Sequence, residues 1–347
     1  MQMNKLANGK LEVSALCLGS MLWGSTNTEA EGHAQIDMAL DHGVNFIDTA
    51  EMYPVNPIKA ERCGASEAVI GSWIAKSGRR ADVVVATKVS GDNPGWKRGG
   101  KGYDGATIHE AVDDSLALLK TDYIDIYQTH WPIRGSYAFR QNWTFDPSGQ
   151  NRDQTEAHMR DVLEAMIQVV KAGKVRYFGL SNESVWGTAQ WLRIAREMGA
   201  PEVISIQNEY SLMNRLADTD LAELCMNEDV RVLSYSPLGT GLLTGKYQDN
   251  AVPEGSRLSL SPGLGGRCTT RAFEAVDAYL AVAKKHGLDP VHMALAFSVS
   301  RPFMGSTIFG ASSMEQLQRV LEGKDVTLSE DVLADINLAH QAHPMPF

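Results

Sequence analysis

The 347-residue sequence predicts an α/β fold, a closed (β/α)8 barrel of parallel strands forming one domain over 1–347. Three observations carry this expectation. Short β-rich runs recur eight times, segments of helical spacing separate them, and the runs are apolar on both faces. A strand with no polar face must be covered on both sides. Eight such strands alternating with helices point to closure into a barrel rather than an open sheet.

The elements follow in chain order. KLANGKLEVS, residues 5 to 14, holds an N-G turn between short alternating runs and predicts a β-hairpin that precedes the barrel and covers its lower end. The eight strands are expected in ALCLGSM (15 to 21), VNFIDTA (44 to 50), DVVVATKV (82 to 89), YIDIYQTHW (123 to 131), VRYFGLSN (175 to 182), EVISIQNEY (202 to 210), VRVLSYSPL (230 to 238) and GSTIFGAS (305 to 312). EAEGHAQIDMALDHG, ATIHEAVDDSLALLK and TEAHMRDVLEAMIQVVKAG read as helices between them, the last two closing on Lys and Gly. RAFEAVDAYLAVAKKHG and DPVHMALAFSVSR both fall between the seventh and eighth strands, so one is an inserted helix. SEDVLADINLAHQAH predicts a C-terminal outer helix, leaving HPMPF free near a rim.

With 44% hydrophobic residues the chain can build a large core, and its formal net charge of −10 argues against nucleic acid or an anionic membrane as the main partner. The basic cluster KRGGK, 97 to 101, is too short to overturn that. Cys17, Cys63, Cys225 and Cys268 are far apart with no CxxC pair, which fits a reducing compartment. MQMNKLANGK lacks the apolar core of a signal peptide, and no run approaches a membrane span, so a cytoplasmic protein is expected. His340 and His343 have no further ligand at metal spacing, and no metal is expected.

In such a barrel the active site lies at the C-terminal ends of the strands. Those ends carry Asp48 and, five residues on, Tyr53 after the second strand, Lys88 on the third and His130 on the fourth. Singly each has an ordinary explanation: a helix cap, a packing phenol, a solvated strand end, a core histidine. Together they form a proton-transfer set. A phenol holds its proton at neutral pH and can give it to an alkoxide forming on a reduced carbonyl. A nearby Lys88 ammonium would depress the Tyr53 pKa, Asp48 would keep that Lys charged, and His130 would donate a hydrogen bond to the carbonyl oxygen.

With those residues in place the chain resembles the aldo-keto reductases, with a particular likeness to their bacterial Tas-type members. The resemblance runs through LEVSALCLGSM, NFIDTAEMYP, TKVSG, YIDIYQTHWP, AGKVRYFGLSN, IQNEYSLMNR, SPLGTGLLTGKY, HGLDPVHMALAF and SEDVLADI, nearly the full length. It implies NADPH-dependent reduction of an aldehyde or ketone, with catalytic roles at Asp48, Tyr53, Lys88 and His130. An alternative is a nucleotide-sensing regulatory subunit, since potassium-channel β-subunits share the same barrel and cofactor. The complete catalytic set favours an enzyme.

No G-x-G-x-x-G fingerprint opens a βα unit, so a dinucleotide would have to be held otherwise. GTGLLTGKY, 239 to 247, leaves the seventh strand at the barrel mouth, where loops commonly bind phosphate through backbone N–H groups. The resemblance implies that Tyr235, Ser236, Pro237, Leu238, Gly239, Thr240, Gly241, Leu242 and Lys246 wrap the pyrophosphate. It also implies that Ser181, Asn182 and Gln207 hold the nicotinamide amide while Tyr210 stacks on the ring. Gly310, Ser312 and Gln316 lie just before or within a helix start suited to a ribose phosphate, where Lys246 and Arg257 would favour NADPH over NADH. Arg319 and Val320 depart from the acidic residue and Asn that related reductases carry toward the adenine.

The segment after His130, WPIRGSYAFRQNWTFDPSGQNRD, is too long for a simple connection and carries Tyr137, Phe139, Trp143 and Phe145. Read as a lid, it would join Trp23 and Trp131 in an apolar wall for the substrate. Read as plain packing, its aromatics would cover neighbouring loops.

Overall fold

A computed structural model describes residues 1–55 and 57–347. Its first two strands, β1 (Met3–Leu6) and β2 (Leu11–Ser14), pair antiparallel with Leu6 opposite Leu11. Asn8 and Gly9 sit at positive φ in the turn between them, a conformation that Gly and Asn adopt at least cost.

Eight parallel strands follow among the described residues: β3 (Leu16–Gly19), β4 (Phe46–Asp48), β5 (Val84–Val89), β6 (Ile124–Thr129), β7 (Val175–Ser181), β8 (Val203–Glu209), β9 (Arg231–Tyr235) and β10 (Met304–Phe309). Each pairs with the next, and β10 closes the ring by pairing with both β9 and β3. The architecture is a (β/α)8 TIM barrel. Around it run α1 (Glu29–Asp41), α2 (Ala65–Ser77), α3 (Gly105–Leu119), α4 (Arg152–Lys171), α5 (Val185–Met198), α6 (Asp220–Glu228), the single turn α7 (Arg257–Leu260), α8 (Thr270–Lys285), α9 (Pro290–Val299), α10 (Met314–Glu322) and α11 (Glu330–Ala342). Two long helices, α8 and α9, do separate β9 from β10, and α11 packs outside against α8.

Local chemistry sets the helix starts. Thr28 caps α1 in a reciprocal box with Glu31, Asp104 does the same for α3 with Thr107, and Asp289 caps α9 with Pro290 in its first turn. Among the described residues no helix is long and apolar enough to cross a membrane.

The barrel interior is layered by the two-residue period of its strands. Cys17, Phe46, Ala86, Ile126, Ile204, Leu233 and Ile308 make one apolar layer, and Leu6, Ala7, Leu11 and Val13 of the hairpin pack beneath it. The hairpin thus plugs the lower end. Burying each large member of that layer contributes about 1.5–3 kcal/mol. Two residues further along the same strands the interior turns polar, at Asp48, Lys88 and Gln128, and reaches Tyr235 and Gly310 at the mouth.

The last five residues, expected free, are tied down instead. Thr269 Oγ1 donates to the Pro346 carbonyl at 2.6 Å, Arg271 Nη2 donates to those of Pro344 and Met345, and Phe347 is buried beside Arg267. The reason is tertiary: a Phe ring near a loop guanidinium finds cover that a segment read in isolation does not show.

Candidate active site

β4 delivers Asp48 to the upper interior next to β5, which delivers Lys88. Lys88 is fully buried, and its Nζ donates to Asp48 Oδ2 at 2.7 Å and to the Thr49 carbonyl at 2.6 Å. Gln207 on β8 reaches across the barrel, its Nε2 donating to Asp48 Oδ1 at 2.7 Å. Gly179 on β7 makes this layer possible, since a Cβ there would come 2.7 Å from Ser205 Oγ and 3.1 Å from Gln128 Cγ.

Tyr53, on the loop after β4, sits above the pair with Lys88 Nζ 5.0 Å from its ring centre. His130 lies edge-on to that ring, centroids 5.8 Å apart. Four residues from three neighbouring strand ends therefore meet at one point.

The electrostatics differ from expectation at one of them. Burial pushes the Tyr53 phenol above its ordinary value, and the Lys88 ammonium, although it pulls the other way, does not reverse this. The phenol is thus a weaker acid than a free one and holds its proton throughout the neutral range. Burial also opposes the charge on Lys88, but Asp48 and Tyr53 outweigh it and hold the ammonium above its ordinary pKa. Burial, with Lys88 adding to it, drives His130 well below the usual imidazole value. A neutral imidazole still offers one N–H, and His130 Nδ1 is buried with no partner among the described residues.

Two ion pairs that sequence reading missed hold the surrounding loops. Glu51, two residues before Tyr53, accepts Arg98 Nη1 at 2.8 Å and Nη2 at 2.5 Å, and also the Ser90 N–H at 2.6 Å. Arg98 belongs to KRGGK, 97 to 101, the basic cluster set aside as too short to mark a nucleic-acid or membrane partner. Glu183, after β7, pairs with Arg134 of the long loop after His130, and Ser136 Oγ of that loop donates to the Asn182 carbonyl at 2.7 Å. A Glu following a strand and an Arg 49 residues away carry no local signal of pairing.

A cleft of about 700 Å³ opens over this centre. Asp48, Tyr53, His130 and Trp131 are among its lining residues, as are Leu238, Thr240, Gly241, Lys246, Arg257, Gly310, Ser312 and Gln316. Asn182, Gln207, Tyr235, Ser236 and Pro237 line it too. Burial and then the neighbouring Arg267 pull the Arg257 guanidinium down to about 10. The N-terminus of α10 begins at this wall, capped by Ser313. Cations and a helix start at one end and amide side chains at the other fit a dinucleotide phosphate and its nicotinamide. Gly241, at φ +100° against Lys246 and Tyr247, is a position where a side chain would be strained and crowded.

Several sequence candidates fall elsewhere. Tyr210 is fully buried outside the cleft, its hydroxyl donating to Asp218 at 2.6 Å and its ring stacked on Phe297. Tyr235 faces the cleft instead, its hydroxyl donating to Asn182 Oδ1 at 2.7 Å. Two-residue counting from the inward Leu233 reaches Tyr235, whereas Tyr210 follows the end of β8 and turns outward. Trp23 is buried under the loop after β3, its Nε1 donating to Gln35, and does not line the cleft. Trp143 is exposed beside Arg271, and Tyr137 and Phe145 pack on each other, so among these loop aromatics only Phe139 joins Trp131 at the cleft. Ser181, Gly239 and Leu242 are buried behind the lining, Ser181 Oγ donating to the Gln207 carbonyl at 2.9 Å. Lys88 lies beneath the floor. Arg319 and Val320 do line the far end, Arg319 held by Asp289 at 2.8 Å.

The sequence of residues 15–340 matches the model of the aldo/keto reductase family. The chain is 42% identical to Protein tas of Escherichia coli over its whole length and 99% of that protein. It is 28% identical to a probable voltage-gated potassium channel subunit beta of Arabidopsis thaliana, covering 99% of this chain and 98% of that one. It is 26% identical to norsolorinic acid reductase B of Aspergillus parasiticus, covering 96% and 82%. With the barrel and the family match in agreement, the chain belongs to the aldo/keto reductase family of oxidoreductases.

Proposed function

We propose that this protein is an NADPH-dependent carbonyl reductase, a single-domain cytoplasmic enzyme that converts an aldehyde or ketone to an alcohol. One observation carries the reading: a fully buried Lys88–Asp48 pair lies directly beneath Tyr53, beside a neutral His130, on the floor of a cleft whose far wall is cationic. All four cysteines are free thiols, which fits a reducing compartment.

When bound, NADPH supplies the hydride that reduces the carbonyl carbon. Asn182 and Gln207 would hold its amide, Tyr235 its ring face, and Lys246, Arg257 and the backbone around Gly241 its phosphates. His130 donates its N–H to the carbonyl oxygen and fixes the approach of the substrate. As negative charge gathers on that oxygen, Tyr53 passes it the phenolic proton. Lys88 steadies the phenolate left behind, and Asp48 keeps Lys88 charged and in place. The raised pKa of Tyr53 means that the proton is present at neutral pH and leaves only when an alkoxide forms.

A panel of simple aldehydes and ketones, followed by loss of NADPH absorbance, tests the reading. Turnover by the wild type is expected, and Tyr53→Phe should lower kcat by at least about a hundredfold while NADPH affinity stays nearly intact. Undiminished turnover in that variant removes Tyr53 from the chemistry. The Arabidopsis relative named as a channel subunit carries a second reading, a nucleotide-sensing regulatory protein. NADPH binding without turnover of any carbonyl would favour it.

A further inference from the structure

The inner rim of the cleft holds two arginines on one carboxylate. Arg267 and Glu209 satisfy each other, with Arg267 Nε and Nη2 at 2.8 and 2.7 Å from Glu209 Oε1, and Arg267 Nη1 donates to the Leu264 carbonyl at 3.1 Å. Arg140, from the long loop after His130, reaches Glu209 Oε2 only at 3.4 Å. Its Nε is buried and has no hydrogen-bond partner among the described residues. A buried N–H left unpaired is destabilising, more so on a charged group, so a donor in this state favours an added acceptor.

The guanidinium packs against the turn at Gly265 and Gly266, both at positive φ. A Cβ on Gly265 would press on Arg140 Nη2 at 3.3 Å, while one on Gly266 would meet its Cδ and Nε at an ordinary 3.7 Å. Burial and the like charge of Arg267 hold Arg140 below its ordinary pKa. Arg140 lines the same cleft as Tyr53 and His130, next to Phe139 and near Trp131. An apolar stem between carbonyl and anion would lie along those two aromatic rings.

We propose that Arg140 recognises an anionic group on the substrate, so that this site takes a carbonyl compound carrying a carboxylate at the end of a short apolar or aromatic stem. The proposal rests on the carbonyl-reductase reading and goes beyond it in substrate class. A planar fork suits a carboxylate, which accepts two parallel N–H bonds from one guanidinium. The same chemistry would also suit a phosphate of the dinucleotide, and the two sources separate experimentally.

Wild-type enzyme should reduce 4-carboxybenzaldehyde with kcat/KM at least about tenfold above that of 4-methylbenzaldehyde. Arg140→Gln should erase that preference, through KM rather than kcat, and Arg140→Lys should restore part of it. NADPH affinity, read from quenching of protein fluorescence, should not move in either variant. No preference in the wild type, or an equal preference in Arg140→Gln, overturns the proposal, and a weakened NADPH affinity assigns Arg140 to the cofactor instead. Should no aldehyde be reduced, the functional reading fails, yet calorimetry still decides the anion site. Benzoate should bind the wild type with NADP+ and bind Arg140→Gln at least about tenfold more weakly, and equal binding rejects the site.

Discussion

Lys88, beneath the floor of the cleft, and Arg140, at its rim, are cations held under opposite conditions. Lys88 is sealed in the barrel with a carboxylate at 2.7 Å and a carbonyl at 2.6 Å, and its pKa is raised. Arg140 stands on a loop, shares its carboxylate with a second arginine, keeps one N–H unpaired, and has a lowered pKa. The strand-borne floor is electrically matched within the protein, whereas the loop-borne rim is left with positive charge. Charge that must hold position for chemistry is paired internally, and charge that must meet a ligand is kept in excess.

The largest expected effect tests the floor. Lys88→Met would strand Asp48 in the interior with Gln207 as its remaining side-chain donor, and breaking a buried pair costs about 3–5 kcal/mol of stability. Denaturant unfolding measures it, and Lys88→Met with Asp48→Asn should recover most of the loss. A single variant as stable as the wild type would mean that the floor is not a matched pair.

A second buried carboxyl supplies a contrast. Glu67 on α2 is fully buried, accepting Thr87 Oγ1 at 2.6 Å with its other oxygen unpartnered, and burial pushes it from 4.5 up to about 7. Its folded pKa exceeds its unfolded one, so the folded protein holds this proton more tightly. Stability from that source is full below about 4.5, falls as pH rises toward 7, and is then lost, on the order of 3 kcal/mol in all. Glu67→Gln keeps the hydrogen bond without the charge. The stability difference between variant and wild type should therefore grow across this window, and a flat difference would mean that Glu67 titrates as a free carboxyl.

The smallest expected effect is at the rim. Replacing Arg257 by Met should weaken NADPH about tenfold more than NADH, because the extra phosphate of NADPH alone loses a charge-assisted contact. Equal weakening would make Arg257 a structural residue of its loop rather than a contact of the extra phosphate.

The barrel and its floor were legible along the chain because both depend on local periodicity. Alternation on a strand puts Asp48 two residues beyond Phe46 and Lys88 two beyond Ala86, so inward direction and height follow from counting. The rim was not legible in the same way. Tyr235 ends β9 and Tyr210 directly follows β8, yet Tyr210 turns onto Phe297 and Tyr235 into the cleft. Trp23, an aromatic after a strand end, is covered by α1 through Gln35.

The eight apolar runs, the helical segments between them and the residues at the strand ends therefore settled how many barrel strands there are, what class of barrel they form, and which side chains meet at its centre. Pairings such as Arg98 with Glu51, Arg134 with Glu183, and Arg140 and Arg267 with Glu209 arise between loops 47 to 69 residues apart. Nothing periodic relates such partners. Their contacts exist because the closed barrel brings the ends of its loops to one rim, where the course of each loop determines which charge finds a partner.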